Sequence, residues 1–205
     1  MPRATVMARL RLLSVAVAVL SACTASWNAV VRYSDEPAPS DESAAAEVYR
    51  AVLLTLIKDG WPRMAVLTDS TASLGSFAAV TTLGQPRLPG DWPDTLKREV
   101  RAALQDPQLA HVGDRTVILQ AAMGIRFHLI APTDSLASPH APSSRLQLPP
   151  RLQLSAPGFN ADTTIAAIHL DYWCGLLCGH GATLLLARRP GFRWRVWNYE
   201  VHWVS

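Results

Sequence analysis

The chain has 205 residues, 49% of them hydrophobic and 17% charged, with a formal net charge of +3 and a pI near 9.0. This composition excludes a globally disordered chain, and the length suits one domain with a core of useful size. The basic excess and the odd count of three cysteines point to anionic partners and a spare thiol only if the mature domain keeps both.

Arg3, Arg9 and Arg11 lie around the start of an apolar run over residues 12–20, and no acidic residue occurs before Asp35. A basic start, a short apolar run and small residues after it describe a secretory signal. The run is too short to span a bilayer, which takes about 20 apolar residues. It ends in Leu20-Ser21-Ala22-Cys23. That tetrad resembles the lipobox of bacterial lipoproteins. The resemblance implies a signal peptide over 1–22, cleavage before Cys23, and acylation of that cysteine's thiol and amine with fatty-acid chains such as palmitate. The alternative is an ordinary signal peptide cleaved near Ala22. Thr24, rather than Asp, after the cysteine resembles an outer-membrane destination. The expected location is therefore the cell envelope, lipid-anchored in the outer membrane and facing the periplasm. Cleavage removes three arginines and no acid, leaving sixteen basic and sixteen acidic residues. A neutral secreted domain has no electrostatic case for nucleic acid. The expected partners are the membrane, through the anchor, and an envelope protein or lipid.

Residues 23–44 read as a flexible tether, with the polar SDEPAPSDES stretch at 34–43 and Ser40 or Ser43 as a helix cap. Val48, Tyr49, Val52, Leu53, Leu56 and Ile57 recur at helical spacing until Gly60 and Pro62. Residues 63–69 read as a buried strand, followed by a polar Asp69-Ser70-Thr71. Asp91 is the expected cap of a second helix at 93–105, with Leu96, Val100 and Leu104 on one face. Residues 115–121 and 125–131 read as strands. Residues 132–150, rich in Pro and Ser, read as a long loop. A near repeat, Arg145-Leu146-Gln147-Leu148 then Arg151-Leu152-Gln153-Leu154, reads as an extended segment packing its leucines on the sheet. Three strand-like runs follow at 163–173, 182–188 and 192–204, with a turn at Pro190-Gly191. In the last run the apolar phase slips by one between Val196 and Trp197, which predicts a bulge there or a strand covered on both faces. The expected architecture is α+β: a single domain over 45–205 with two helices packed on an antiparallel sheet that ends in a C-terminal meander.

The C-terminal quarter carries Pro157-Gly158-Phe159-Asn160, then Tyr172-Trp173-Cys174-Gly175-Leu176-Leu177-Cys178-Gly179-His180-Gly181, then Trp194 and Trp203. Over roughly residues 150–205 this resembles an uncharacterised family of bacterial secreted proteins and lipoproteins. Its members carry a Gly-Phe-Asn turn, a strand, a Cys-Gly-x-x-Cys-Gly-x-Gly hairpin and a strand with a Trp. Leu176 stands where many relatives have a second Gly. The resemblance implies a class and no reaction.

Cys174 and Cys178 admit three readings. A disulfide fits an oxidising compartment and the neck of a hairpin, with Gly175, Gly179 and Gly181 expected to supply positive-φ turns. A metal site would add His180 with His169 or His202. A redox dithiol would need a feature that lowers a thiol pKa. Leu176 and Leu177 at the hairpin tip read as tucked onto the domain. Arg188, Arg189, Arg193 and Arg195 read as a solvated strand face, with contact to phosphate groups as the functional alternative. No catalytic motif is present; Asp69-Ser70-Thr71 with His111, His128 or His202 has no spacing that ties it together. No cofactor, metal or catalytic residue is assigned. The expected function is a binding or envelope-support module, with a small envelope enzyme or thiol-redox protein using Cys174 and Cys178 as the alternative.

Overall fold

The computed structural model describes residues 31–39, 42–61, 64–68, 88–125, 127–130, 150–175 and 178–204. The signal residues, Cys23, Asp69-Ser70-Thr71, the loop at 132–149 with the first half of the near repeat, and Leu176-Leu177 lie outside them.

Helix α1 (Ala44–Lys58) starts where Ser43 Oγ accepts from the Ala46 N–H at 3.2 Å. Its apolar face buries Val48, Tyr49, Val52, Leu53 and Leu56. The Tyr49 hydroxyl crosses the core and donates to the Ser155 carbonyl at 3.1 Å, which fixes the helix against the sheet. Strand β1 (Met64–Leu67) follows, then α2 (Asp94–Gln105), which buries Leu96, Val100 and Ala103. The residue at the N-cap of α2 is Pro93, not Asp91; Asp91 sits in the turn before it, and no side chain caps the helix. A short 3-10 helix spans Pro107–Ala110.

The segment expected as a strand at 115–121 is a third helix, α3 (Arg115–Ala122). Asp114 decides it: its carboxylate accepts from the N–H groups of Thr116 at 2.8 Å and Val117 at 3.2 Å, satisfying two donors of a first helical turn. The remaining strands are β2 (His128–Ile130), β3 (Arg151–Leu154), β4 (Gly158–Phe159), β5 (Ile165–Gly175), β6 (Cys178–Ala187) and β7 (Arg195–Val204).

The architecture is mixed α/β: three helices pack on a seven-stranded sheet that ends in antiparallel β5, β6 and β7. The expected all-antiparallel sheet is corrected at one side. In the order β2-β1-β3-β5-β6-β7, β1 runs parallel to both β2 and β3, and β4 pairs with β5. The α2–α3 stretch between β1 and β2 is the crossover that a parallel neighbour requires. At the other side the register of β7 against β6 shifts between Leu185 and Leu186, which leaves Trp197 as the extra residue where the apolar phase slips. A second shift between Gly181 and Ala182 makes His202 an extra residue too.

Both faces of the sheet are covered. Helices α1 and α3 bury Leu152, Leu154, Ile168, Leu170, Leu184 and Leu186 on one face. Helix α2 covers Ile165, Ala167, Leu185 and Ala187 on the other. Alternation along β5 and β6 therefore sends even-numbered residues to the α1 face and odd-numbered ones to the α2 face.

Part of the expected tether is docked. Val31 is 1% exposed in the α2-side core, and Pro37 bridges to Phe192. Ala38 N–H donates to Gly191 O at 3.0 Å, and Arg193 N–H to Glu36 O at 2.8 Å. Residues 31–39 are thus strapped along the turn between β6 and β7.

Candidate functional site

The hairpin of β5 and β6 closes on a disulfide between Cys174 and Cys178, with Cα atoms 5.1 Å apart. The register shifts between Trp173 and Gly175, so Cys174 is set out of the ladder to meet its partner. Cys174 packs against the α1-side core, while Cys178 is exposed. Gly179 and Gly181 act through space, not through φ. The positive-φ glycines among the described residues are Gly60, Gly124 and Gly191; Gly179 and Gly181 are not among them. A Cβ on Gly181 would collide with the Trp203 indole and lie 2.6 Å from the Asp171 carboxylate. One on Gly179 would lie 2.8 Å from Tyr172 O. Gly181 makes room for the Trp203 indole, and Gly179 chiefly for the Tyr172 carbonyl.

On the α1 face, the neck carries an aromatic cluster. Trp61 lies 4.4 Å from the Tyr172 ring and 4.7 Å from the His180 ring. His180 Nε2 meets the Tyr199 hydroxyl at 2.8 Å. Burial pushes the His180 pKa down, against the opposing charge of Asp171. Tyr199, Val201 and Val204 on edge strand β7 leave this side of the sheet partly exposed.

On the α2 face, beyond the apolar patch under α2, lies a buried polar row. His169, Asp171, Gln153 and Thr183 are each 3% exposed or less. Thr183 Oγ1 stands between two imidazoles, 2.8 Å from His169 Nδ1 and 2.6 Å from His202 Nε2. The hydroxyl has one proton, so it donates to one ring and accepts from the other. Either of two opposite tautomer patterns satisfies these contacts with both rings neutral. Burial pushes His169 down to about 4, and the charge of His202 adds to this. His202 is lowered by burial too, although Glu200 and Asp171 oppose it. Asp171 Oδ1 accepts from Trp203 Nε1 at 3.3 Å. The network holds protons in place; Thr183, 1% exposed, offers no open face to a substrate.

The structure separates the residues that a Cys/His metal site would need. The two sulfurs are bonded to each other. His180 faces the α1 side, and His169 and His202 face the α2 side. His111 ends the 3-10 helix, and His128 lies exposed on edge strand β2. Sequence reasoning passed over Thr183, Asp171 and Gln153. The available signal was a pair of polar residues, His169 and Asp171, at alternate positions inside an otherwise apolar strand.

The arginines are engaged inside the molecule. Arg188 bonds Glu47 at 3.0 Å, Arg189 pairs with Asp35, Arg193 pairs with Glu36 at 3.1 Å, and Arg195 donates to Tyr33 O at 3.3 Å. Three of the four thus hold the strap over 31–39, and Arg188 holds α1.

The Gly-Phe-Asn turn is a structural clasp. Asn160 Oδ1 accepts from the N–H groups of Thr164 and Ile165, both at 2.9 Å, and Nδ2 donates to Glu99 on α2 at 3.2 Å. Phe159 N–H donates to Asp106 at 2.9 Å. The turn therefore joins the start of β5 to the middle of α2 and to the junction between α2 and the 3-10 helix.

Among the described residues no helix is long and apolar enough to cross a membrane. No family model, no curated protein and no solved structure matches the chain.

Proposed function

We propose that the chain is a bacterial envelope lipoprotein of the secreted family its C-terminal motif resembles. It is lipidated at Cys23, held at the periplasmic face of the outer membrane, and acts as a binding or envelope-support module. The observation that carries this reading is the Cys174–Cys178 pair. With Cys23 acylated, every cysteine of the mature chain is used, as an oxidising compartment favours. The neutral charge of the mature chain is consistent with a protein or lipid partner and gives no reason to invoke nucleic acid. The test is the intact mass and fractionation of the mature protein. A diacylglycerol-modified, membrane-bound chain is expected, and Cys23→Ala is expected to release it. A Cys23→Ala protein that still fractionates with membranes overturns the anchor.

The second reading, a thiol-redox protein, is favoured by one feature: Cys178 is exposed and open to an attacking thiolate. Redox titration separates the two. A structural bridge has a potential below about −300 mV, whereas a working dithiol sits nearer −200 mV.

A further inference from the structure

Strand β7 closes one side of the sheet, and among the described residues no strand lies beyond it. Its outer edge runs ten residues, from Arg195 to Val204, and holds neither Pro nor Lys. Tyr199, Val201 and Val204 are 42%, 46% and 77% exposed along it. The Tyr199 N–H donates to the Asn198 side chain at 2.9 Å, so this donor is served by its own neighbour. An open apolar edge of this length is a template for another strand unless something blunts it. The strap does not blunt it: among the described residues its backbone bonds end at Gly191 and Arg193, before β7 begins.

The two bulges give this edge a symmetry. Each sets two neighbours on one face, Trp197 with Asn198 and His202 with Trp203. All four lie on the α2 face, with Glu200 between the two pairs. Val196, Tyr199, Val201 and Val204 lie on the α1 face. Counted outward from Glu200, the two halves of the strand match. Tyr199 mirrors Val201, the two doublets mirror each other, and Val196-Trp197 mirrors Trp203-Val204. A regular strand laid on this edge would have to slip its register at each doublet. A second β7, antiparallel and centred on the same residue, stays in phase throughout. Such a self-complementary match is what a two-fold contact requires.

We propose that β7 pairs with β7 of a second copy of this chain, antiparallel about a two-fold axis at Glu200, so that two sheets become one. Tyr199 of each copy then stands opposite Val201 of the other, and Val196 opposite Val204, which covers the exposed side chains. The axis is normal to the sheet, so the α2 faces of both copies lie on one side. Val31, the first described residue, docks in the core on that face. Both copies therefore present their point of attachment from the same side, as two anchors in one bilayer need. The anchor proposed above would raise the local concentration of the pair. The pairing itself does not depend on it. Nine paired residues run only about 30 Å, which makes a small interface and a dimer with a Kd on the order of 10 μM. Two Glu200 carboxylates meet at the axis, and like charges directly opposite each other weaken the contact.

The experiment is sedimentation of the mature chain carrying Cys23→Ala, which removes both lipid and free thiol. A reversible monomer–dimer equilibrium is expected. Val201→Lys should weaken it about tenfold or more without moving the melting temperature, since the side chain it replaces is exposed in the monomer. Glu200→Gln should tighten it several-fold, a gain that only this register produces. Glu200→Cys should form an intermolecular disulfide on mild oxidation, because cross-strand partners lie near the reach of such a bond. Arg195→Cys should not, because its counterpart would lie roughly 33 Å away. A chain that stays monomeric up to about 1 mM (a hundred times the expected Kd) overturns the proposal. So does a dimer indifferent to Val201→Lys, or one that Arg195→Cys cross-links as readily as Glu200→Cys. A wild-type chain found unlipidated at Cys23, whose Cys23→Ala form still dimerises, sinks the anchor and leaves the pairing standing.

Discussion

The hydroxyl of Thr183 lies 2.6 Å from Nε2 of His202, across the boundary between β6 and β7. The same oxygen meets His169 Nδ1 from β5, so one hydroxyl ties three strands. His169 stays neutral in the folded chain down to about pH 4, whereas an unfolded histidine protonates near 6.5. A histidine pKa lowered by folding gives stability that is complete above about pH 6.5 and lost as pH falls toward 4. The expected loss approaches about 3 kcal/mol at the acid end. Urea midpoints measured from pH 7.5 to 4 check this. His169→Gln should flatten the slope; coincident slopes for the two proteins would falsify the assignment.

Gly181→Ala is expected to destabilise by about 1–3 kcal/mol or more, since the added methyl must displace the Trp203 indole or the Asp171 carboxylate. Combining it with Trp203→Ala should cost less than the two changes summed, because the second removes the obstacle the first creates. Thermal melts of the four proteins in the cycle give the answer, and strict additivity would sink the idea.

Asn160→Ala removes bonds to Thr164, Ile165 and Glu99 at once. The Ile165 donor at the start of β5 is buried and the Thr164 donor just before it is half-buried, so a loss of about 2–4 kcal/mol is expected. Hydrogen exchange at Thr164 and Ile165 should accelerate in the variant more than exchange in α1. Uniform acceleration would mean that the clasp is not local.

Replacing both Cys174 and Cys178 with Ser opens a loop of only five residues, for which loop-closure entropy gives about 2 kcal/mol. Denaturant unfolding of the double variant measures it. A loss several times larger would show that the bridge orders more of the sheet than its own hairpin.

Local order was legible where the signal is local. The period of Val48, Val52 and Leu56, with Ser43 before it, marks α1, and the phase slip at Trp197 marks the bulge in β7. Helix α3 was misread because Thr116, Val117 and Ile118 are β-branched and favour a strand. The cap at Asp114 outweighs them, and a cap is one residue against three. The parallel pairing of β1 with β2 and β3 was not legible either. Those strands have three or four residues, too few for periodicity to state a direction or a neighbour. The polar row failed to appear for the same reason: His169, Thr183 and His202 meet only once the register between three strands is known.

The strap has a mechanical consequence. Residues 31–39 move with the body of the domain, so, were Cys23 acylated as proposed, residues 24–30 would be all that stands between the anchor and Val31, the first docked side chain among the described residues. Seven residues reach at most about 25 Å. A domain so anchored would sample a thin layer above the bilayer and not the depth of the compartment. On the proposed anchor, a partner would have to come to the membrane or already belong to it.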